Sequence, residues 1–371
     1  MSSINILEYA IKSAQGDLSS TIDAIKNDAI NISSKSVETA DEKVQIPYFA
    51  FDEEMGVDQE AITTAIKELV IELLAKLTTA QKSKTALIIG TSMVDLNLVS
   101  SVESTMYQQE KFKTNKSSID SYAQNIAKEL GLNEFTMTIS TACTSSINAL
   151  LEAKNLINAG VVEYAVVVGV ELFTPIMSSG FYSMKLLSMT TQKPFDIDRD
   201  GFILGEGIAG VLVSKEQAPW SLKGGYSNCN AVSITSVNAN GEEYAEVMQE
   251  AMSSANITGE QITAIKAQAT SSVTDEAEIN AIAQLFTPLP FTALKPYIGH
   301  TLGACGILEM AIFMACIDRG FIPKTKNHTE SILENYSPIL EHTKCSHGDF
   351  MLNYFGFGGN NTSVIIEKEK S

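Results

Sequence analysis

The sequence predicts an α/β fold of layered, largely buried sheets, and three observations carry that expectation. Apolar residues at helical spacing give way directly to a short apolar run. The same alternation then returns further along the chain. Of the 371 residues, 44% are hydrophobic, enough for a sizeable core.

Residues 59–78, QEAITTAIKELVIELLAKLT, place Ile62, Ile66, Leu69, Leu73 and Leu77 on one helical face, and TALIIGTS at 85–92 follows as a short buried strand. FTMTIS at 135–140 reads as the next strand, SSINALLEAKNLINAG as a helix ending at Gly160, and YAVVVGVEL at 164–172 as another strand. GIAGVLVSKE adds one more. After it, APWSLKGGYSN reads as a crossing segment that leads to a second α/β half beginning near Val232. The chain thus divides into residues 1–220 and 221–371, two halves that each hold strand–helix–strand units, as in a duplicated fold. No short-period repeat, low-complexity linker or Pro-rich tether is evident.

The formal net charge is −18, and no stretch resembles a basic, aromatic-interleaved surface, so nucleic acid and anionic membrane are poor partners. Arg is confined to Arg199 and Arg319; nearly all positive charge is Lys, which lacks the bidentate guanidinium fork. The five cysteines, Cys143, Cys229, Cys305, Cys316 and Cys345, show no CxxC pairing for a metal and are sparse for a disulfide scaffold. No metal site is expected. The start of the chain has no basic region followed by an apolar core, and no uncharged apolar run approaches about 18 residues. A chain without a membrane span, in a reducing cytoplasm, is the expectation.

Four segments contain the residues that could do chemistry. In ISTACTSSINALLEA, Cys143 lies between an apolar strand and an amphipathic helix, where unpaired N–H groups favour a thiolate. It is either a nucleophile or a small buried thiol in a strand-to-helix turn. KPFDIDRDGFILGEGIAG is dense in Gly, Asp and aromatic residues; Asp198, Arg199 and Asp200 read as structural ion pairs and Glu206 as a buried structural carboxylate. KPYIGHTLGACGILEMAIFMA sets Lys295 and His300 before a Gly-containing turn and an apolar helix, where imidazole can donate to an oxyanion or exchange a proton. His328, His342 and His347 sit in polar segments without such context and read as surface residues. LNYFGFGGNNTSVII is a glycine-rich turn entering a strand; it is no P-loop, and an oxyanion donor or a gate suits it better.

In this order, TACTSS, KPFDIDRDGFILGEGIAG, KPYIGHTLGACG and FGFGGNN resemble the motifs of the β-ketoacyl-acyl-carrier-protein synthases, condensing enzymes of the thiolase fold. The resemblance runs from about residue 86 to 369 and is much weaker over the first 80. It implies a thiolase-like five-layer αβαβα fold from two similar halves, usually dimeric. It also implies that Cys143 accepts an acyl group from the phosphopantetheine of an acyl carrier protein, with no separately bound cofactor. A malonyl-carrier thioester would then lose carbon dioxide and attack the acyl-cysteine. By the same resemblance, His300 stabilises the enolate-like oxygen, Lys295 orders the local network and Glu309 supports Lys295. The amides of Cys143 and Phe357 form the oxyanion hole, while Phe202 and the turn Phe355, Gly356, Phe357 shape the pocket or gate it.

One position departs from the pattern. In AIKAQATSSVTDEAE, the places that hold alanine, histidine and glycine in many relatives hold Ala267, Gln268 and Ala269, so the usual Cys–His–His set becomes Cys143–Gln268–His300. The interval from Gln268 to Glu278 is also one residue shorter than usual. An amide donates a hydrogen bond but is neither cation nor base near neutral pH. Losing a charge-assisted donor costs about one to a few kcal/mol, which slows decarboxylation without forbidding acyl transfer.

Two readings follow: a working synthase with an amide in the malonyl site, or a weakly active or non-catalytic chain-length-factor subunit paired with an active homologue. The altered motif resembles accessory ketosynthases of aryl-polyene-like pigment clusters. A thiolase or hydroxymethylglutaryl-CoA synthase is a third option, disfavoured by DGFILGEG and GHTLGACG. An acidic carrier protein would need a local basic patch on so negative a chain, with Lys111, Lys113 and Lys116 as candidates. A homodimer and a heterodimer with a homologous ketosynthase both remain open.

Overall fold

A computed structural model of the chain describes residues 2–39, 42–52, 59–92, 119–230 and 237–370. The Lys111, Lys113 and Lys116 cluster and the boundary near Val232 fall outside these residues.

Ten strands make the main sheet: β1 (Ile4–Ser13), β2 (Thr85–Gly90), β3 (Thr136–Ile139), β4 (Tyr164–Glu171), β5 (Gly207–Ser214), β6 (Trp220–Cys229), β7 (Ile262–Lys266), β8 (Phe291–Thr292), β9 (Gly348–Phe355) and β10 (Asn360–Lys368). Gly16–Asp17 pairs with β1 as an eleventh. The spatial order is β8-β7-β9-β10-β6-β1-β5-β4-β2-β3. Counted within each half, both runs have the order 3-2-4-5-1. Their directions agree as well: β2, β3 and β4 are mutually parallel across their contacts, as are β7, β8 and β9, and the remaining pairs are antiparallel. The halves meet edge to edge through Ile4↔Leu222, Asn5↔Ser221 and Ile6↔Trp220.

The expected crossing segment APWSLKGGYSN is a correction. It holds all but the last residue of β6, the first strand of the second half, paired with β10 from Trp220↔Lys368 to Cys229↔Asn360. Two adjacent glycines hid its strand character. They are needed because a Cβ at Gly224 would come 2.5 Å from Ala255 N and one at Gly225 would come 2.6 Å from a Leu151 methyl.

Helices α1 (Gln59–Leu73) and α2 (Ser121–Leu130) cover one face of the first half, and α5 (Glu242–Ala255) and α6 (Thr274–Leu285) cover the far face of the second, with α4 (Pro175–Ser183) lying in the connection between β4 and β5. Between the halves lie α3 (Ser145–Asn158) and α7 (Cys305–Asp318). Strand residues alternate between these layers with period two: Ala165 and Val167 face the central helices, whereas Val166 and Val168 face α1 and α2. On β9, Phe350, Leu352 and Tyr354 face inward, and Met351 and Phe355 face α5 and α6. The result is five layers, αβαβα. Helix α7 is buried from Cys305 to Ile317, which explains why its sequence is apolar on every side but for Glu309. Among the described residues no helix is long and apolar enough to cross a membrane. The predicted helix over 59–78 stops earlier, at Leu73.

Candidate active site

Cys143 and His300 come together from opposite halves. Cys143 stands in the turn from β3 into α3, and Ala142 before it has φ 53°, a left-handed conformation that few L-residues adopt. The turn is held by short-range bonds: Thr141 N donates to Ser145 Oγ at 2.9 Å, Ser145 Oγ to Ala142 O at 2.6 Å, and Thr144 Oγ1 to Thr141 O at 2.7 Å. His300 occupies the corresponding turn from β8 towards α7. Its N–H donates to Ile203 O at 2.7 Å, and Gly299, at φ 75°, lies so close to Leu204 that a Cβ would be 2.8 Å from its carbonyl.

The Cys143 sulfur is 3.2 Å from His300 Nε2, and both residues are buried. The expectation that the helix N-terminus leaves a thiolate is corrected. Burial pushes the Cys143 thiol up to about 11, against the lowering effect of the Phe357 and Cys143 backbone N–H groups and of Lys295. Burial, with the charges of Lys295 and Lys266, also holds His300 well below its ordinary value. The pair therefore rests as neutral thiol and neutral imidazole. Nδ1 of His300 has no hydrogen-bond partner among the described residues, so no described group dictates its tautomer.

Gln268 is committed within a network. Its Nε2 donates to the Phe355 carbonyl at 3.0 Å, its Oε1 accepts from Lys295 Nζ at 3.0 Å, and its backbone N–H donates to Glu278 Oε1 at 2.8 Å. Glu278 also accepts from Ala269 N at 2.8 Å, and burial pushes its carboxyl up to about 7. The loop between them contains two left-handed non-glycine residues, Ala269 at φ 49° and Ser271 at φ 61°. Lys295 donates to Glu309 Oε1 at 2.7 Å; that carboxylate outweighs burial and raises the Lys295 ammonium.

The glycine-rich turn brings Gly356 against Cys143, where a Cβ would sit 3.4 Å from the Cys143 backbone N. Phe357 forms an aromatic group with Phe202 and Phe181: ring centroids are 5.9 Å apart for Phe181–Phe357, 5.3 Å for Phe181–Phe202 and 6.4 Å for Phe202–Phe357. Phe202 also meets the His300 ring edge-on at 5.4 Å. Phe355 is separate. Its ring stacks on Tyr244 of α5 at 3.7 Å in the outer layer, and only its carbonyl reaches the network.

The loop after Phe195 differs from its reading. Arg199 makes no ion pair with Asp198 or Asp200 among the described residues; it donates to Ser272 O at 2.8 Å and Asp196 O at 3.1 Å. The carboxylate that organises the loop is Asp196, which accepts from Asp198 N, Thr329 N and Glu330 N. Glu206 is the structural carboxylate expected, accepting from Phe51 N and Phe173 N at 3.0 Å each. Arg319 donates to Ser19 Oγ and pairs with Asp23 at the surface. His347 is exposed, while His328 and His342 are partly buried and bonded to backbone groups of Pro194 and Lys324.

Three residues of this region were not singled out from sequence. Phe181 sits in an unmarked helix, and Cys305, whose Sγ donates to Cys143 O at 3.0 Å, falls within an apolar run. Lys266 did carry a signal: it is a charge at the end of the apolar strand β7.

Comparison with known proteins bears on the family and the fold. The family described as Beta-ketoacyl synthase, N-terminal domain, matches residues 16–218, and Beta-ketoacyl synthase, C-terminal domain, matches residues 221–329. A chloroplastic 3-oxoacyl-[acyl-carrier-protein] synthase I of Arabidopsis thaliana is 31% identical over 80% of this chain and 68% of its own length. A 3-oxoacyl-[acyl-carrier-protein] synthase 2 of Rhizobium meliloti is 32% identical over 62% of this chain and 60% of its own. Among solved structures, a ketosynthase in complex with its chain length factor from Xenorhabdus doucetiae has a TM-score of 0.84 at 23% identity, covering 99% of this chain and 98% of that one. A β-ketoacyl synthase from Burkholderia phymatum has a TM-score of 0.85 at 22% identity, with both chains covered completely at 100%. These likenesses share the fold, and the domain matches decide the family. The chain belongs to the β-ketoacyl synthase family.

Proposed function

We propose that this chain is a condensing acyltransferase that lengthens an acyl group on a carrier protein by decarboxylative Claisen chemistry, in type II fatty acid or polyketide synthesis. The contact of Cys143 with His300 Nε2 at 3.2 Å, with the Phe357 and Cys143 amides directed at the sulfur, supports this reading best. Substrates arrive on the phosphopantetheine of an acyl carrier protein, and the reaction belongs in the cytoplasm. The working unit is a dimer, and each chain divides into halves 1–220 and 221–371.

In the first half-reaction, the sulfur attacks the acyl thioester while neutral His300 takes the thiol proton at Nε2. The oxyanion faces the Cys143 and Phe357 amides. As the carbon–sulfur bond breaks, His300 returns the proton to the departing phosphopantetheine thiolate. In the second, the bond to the malonyl carboxylate breaks, carbon dioxide leaves, and the electron pair becomes an enolate whose oxygen accepts from His300 Nε2–H. That carbanion attacks the acyl-Cys143 carbonyl and expels the cysteine sulfur, which regains a proton from solvent. Nε2 must accept in one half and donate in the other, and a ring with Nδ1 unengaged by the described residues can adopt either tautomer. Lys295 and Gln268 order the pocket, Glu309 holds Lys295, and Phe202, Phe357 and Gly356 line the entrance. Phe355 contributes its carbonyl.

Intact-mass measurement after offering acyl-carrier and then malonyl-carrier protein to the full chain tests the proposal. A Cys143-dependent acyl adduct followed by a ketoacyl product is expected; neither product appearing would sink it. Gln268 supports a second reading, a weakly active or non-catalytic chain-length-factor subunit, because its amide is tied to Phe355 O and Lys295. Activity that appears only with a copurifying homologue would favour that role. Gln268→His would raise malonyl decarboxylation if the amide limits that step, and an unchanged rate in folded protein would remove it as the limit.

A further inference from the structure

Lys266 has no part in the reaction just described, yet it is placed as deliberately as Lys295. It is the last residue of β7 and is fully buried, 0% exposed. Its Nζ lies 2.7 Å from Glu309 Oε2, 2.9 Å from Asn353 O and 3.6 Å from the Tyr354 ring centroid. All three neighbours are acceptors. An ammonium has three donors and no lone pair, whereas a neutral amine would direct its lone pair at one of these acceptors. Burial and the charge of Lys295 hold Lys266 below its ordinary value against the opposing pull of Glu309, while the three acceptors around Nζ suit the ammonium.

The other oxygen of Glu309 is taken by Lys295 at 2.7 Å. A lone Lys–Glu pair has no net charge, and in it Glu309 would largely cancel the field of Lys295. A second lysine on the same carboxylate leaves one positive charge uncancelled in an interior that water does not screen. The groups facing this cluster are Cys143, Cys305, His300 and Glu278, with Glu171 acting on Cys143 from the opposite sign.

We propose that Lys266 is a positioning residue that keeps the buried Lys266–Glu309–Lys295 cluster net cationic, and that this cluster supplies to anions forming at Cys143 and His300 the positive charge that the neutral amide of Gln268 does not. The proposal rests on the reading of Cys143 as the acyl acceptor, but its test requires no acyl substrate.

The rate of Cys143 alkylation by iodoacetamide is followed against pH by intact mass, with Cys143→Ala as background, in the full chain and in Lys266→Gln, Lys266→Met and Lys266→Arg. The amide of Lys266→Gln can still donate to Glu309 but has no charge. Alkylation near neutral pH is expected to slow about tenfold in Lys266→Gln and Lys266→Met, a shift of about one pH unit. Lys266→Arg, which keeps the charge, should stay within about threefold of the parent. Folded Lys266→Gln with the parent's pH profile would overturn the proposal, as would equal slowing in the Gln and Arg variants. If neither neutral variant folds, Lys266 belongs to the fold and the proposal falls. A chain whose Cys143 alkylates as expected but never accepts an acyl group would sink the condensing function and leave this electrostatic role standing.

Discussion

The two halves of the molecule share strand order, strand direction and helix placement, yet only their corresponding turns between third strand and helix hold Cys143 and His300. In the first half, β3 leads through Cys143 into α3; in the second, β8 leads through His300 into α7. One scaffold used twice thus delivers a sulfur and an imidazole to a single point. The halves differ most in the link between their fourth and fifth strands. It runs through residues 172–206 in the first half, which carry Phe181, Asp196 and Phe202, but only through 356–359 in the second. The scaffold sets where the chemistry occurs, and the unequal links decide what surrounds it.

The largest effects should come from the two equivalent turns. Cys143→Ala is expected to abolish the acyl adduct outright, and His300→Ala to lower the condensation rate by about 10²- to 10⁴-fold while leaving the fold intact, as read by single-turnover assays. Equal residual rates in His300→Ala and the parent would break the comparison.

Next in size is the contact between the central helices. A Cβ at Gly306 of α7 would come 2.6 Å from Ile147 N and 2.7 Å from Ser146 Oγ of α3. Gly306→Val should cost about 3 kcal/mol in denaturant unfolding and push Cys143 and His300 apart.

The long link is fastened to the second half through Asp196, whose carboxylate accepts from Thr329 and Glu330 backbone groups. Burial works against that carboxylate, but the backbone donors win and lower it to about 2. A depressed folded value means a contribution present above the ordinary carboxylate range and lost as pH falls through about 2. Asp196→Ala should therefore cost about 2 kcal/mol at neutral pH and flatten the acid limb of the stability curve. An unchanged acid limb would assign that limb to other carboxylates.

The smallest effect should come from Ala269, held at φ 49°. Ala269→Gly would relieve this left-handed strain and stabilise the chain by up to about 1 kcal/mol, visible as a higher unfolding midpoint. A lower midpoint would mean that the loop after Gln268 depends on the alanine methyl.

Much of the architecture was legible because it is locally encoded. TALIIG and YAVVVGVE are continuous apolar runs, the mark of strands covered on both faces, and both are strands of the central sheet. β6 was missed because Gly224 and Gly225 answer to neighbours distant in sequence, Ala255 and Leu151. Cys143, His300, Lys295 and Glu309 stood out through their motifs, and Gln268 through its departure from one. Lys266 left only the faint mark of a charge in an apolar strand, since a single lysine there acquires meaning only from what it touches. Phe355 was grouped with Phe357 by adjacency, but strand alternation sends its ring to the opposite layer.

By itself, then, the sequence determined the α/β layers, the duplicated plan and the strand-to-helix turn that holds Cys143, because strand and helix periods and turn geometry act over a few residues. Only the tertiary structure decided that residues 157 positions apart meet as thiol and imidazole, and that burial raises the Cys143 thiol to about 11 in spite of its helix. It alone placed Lys266 on a carboxylate 43 residues away. Charge, burial and hydrogen-bond partnership belong to the space around a residue, and that space is assembled from distant parts of the chain.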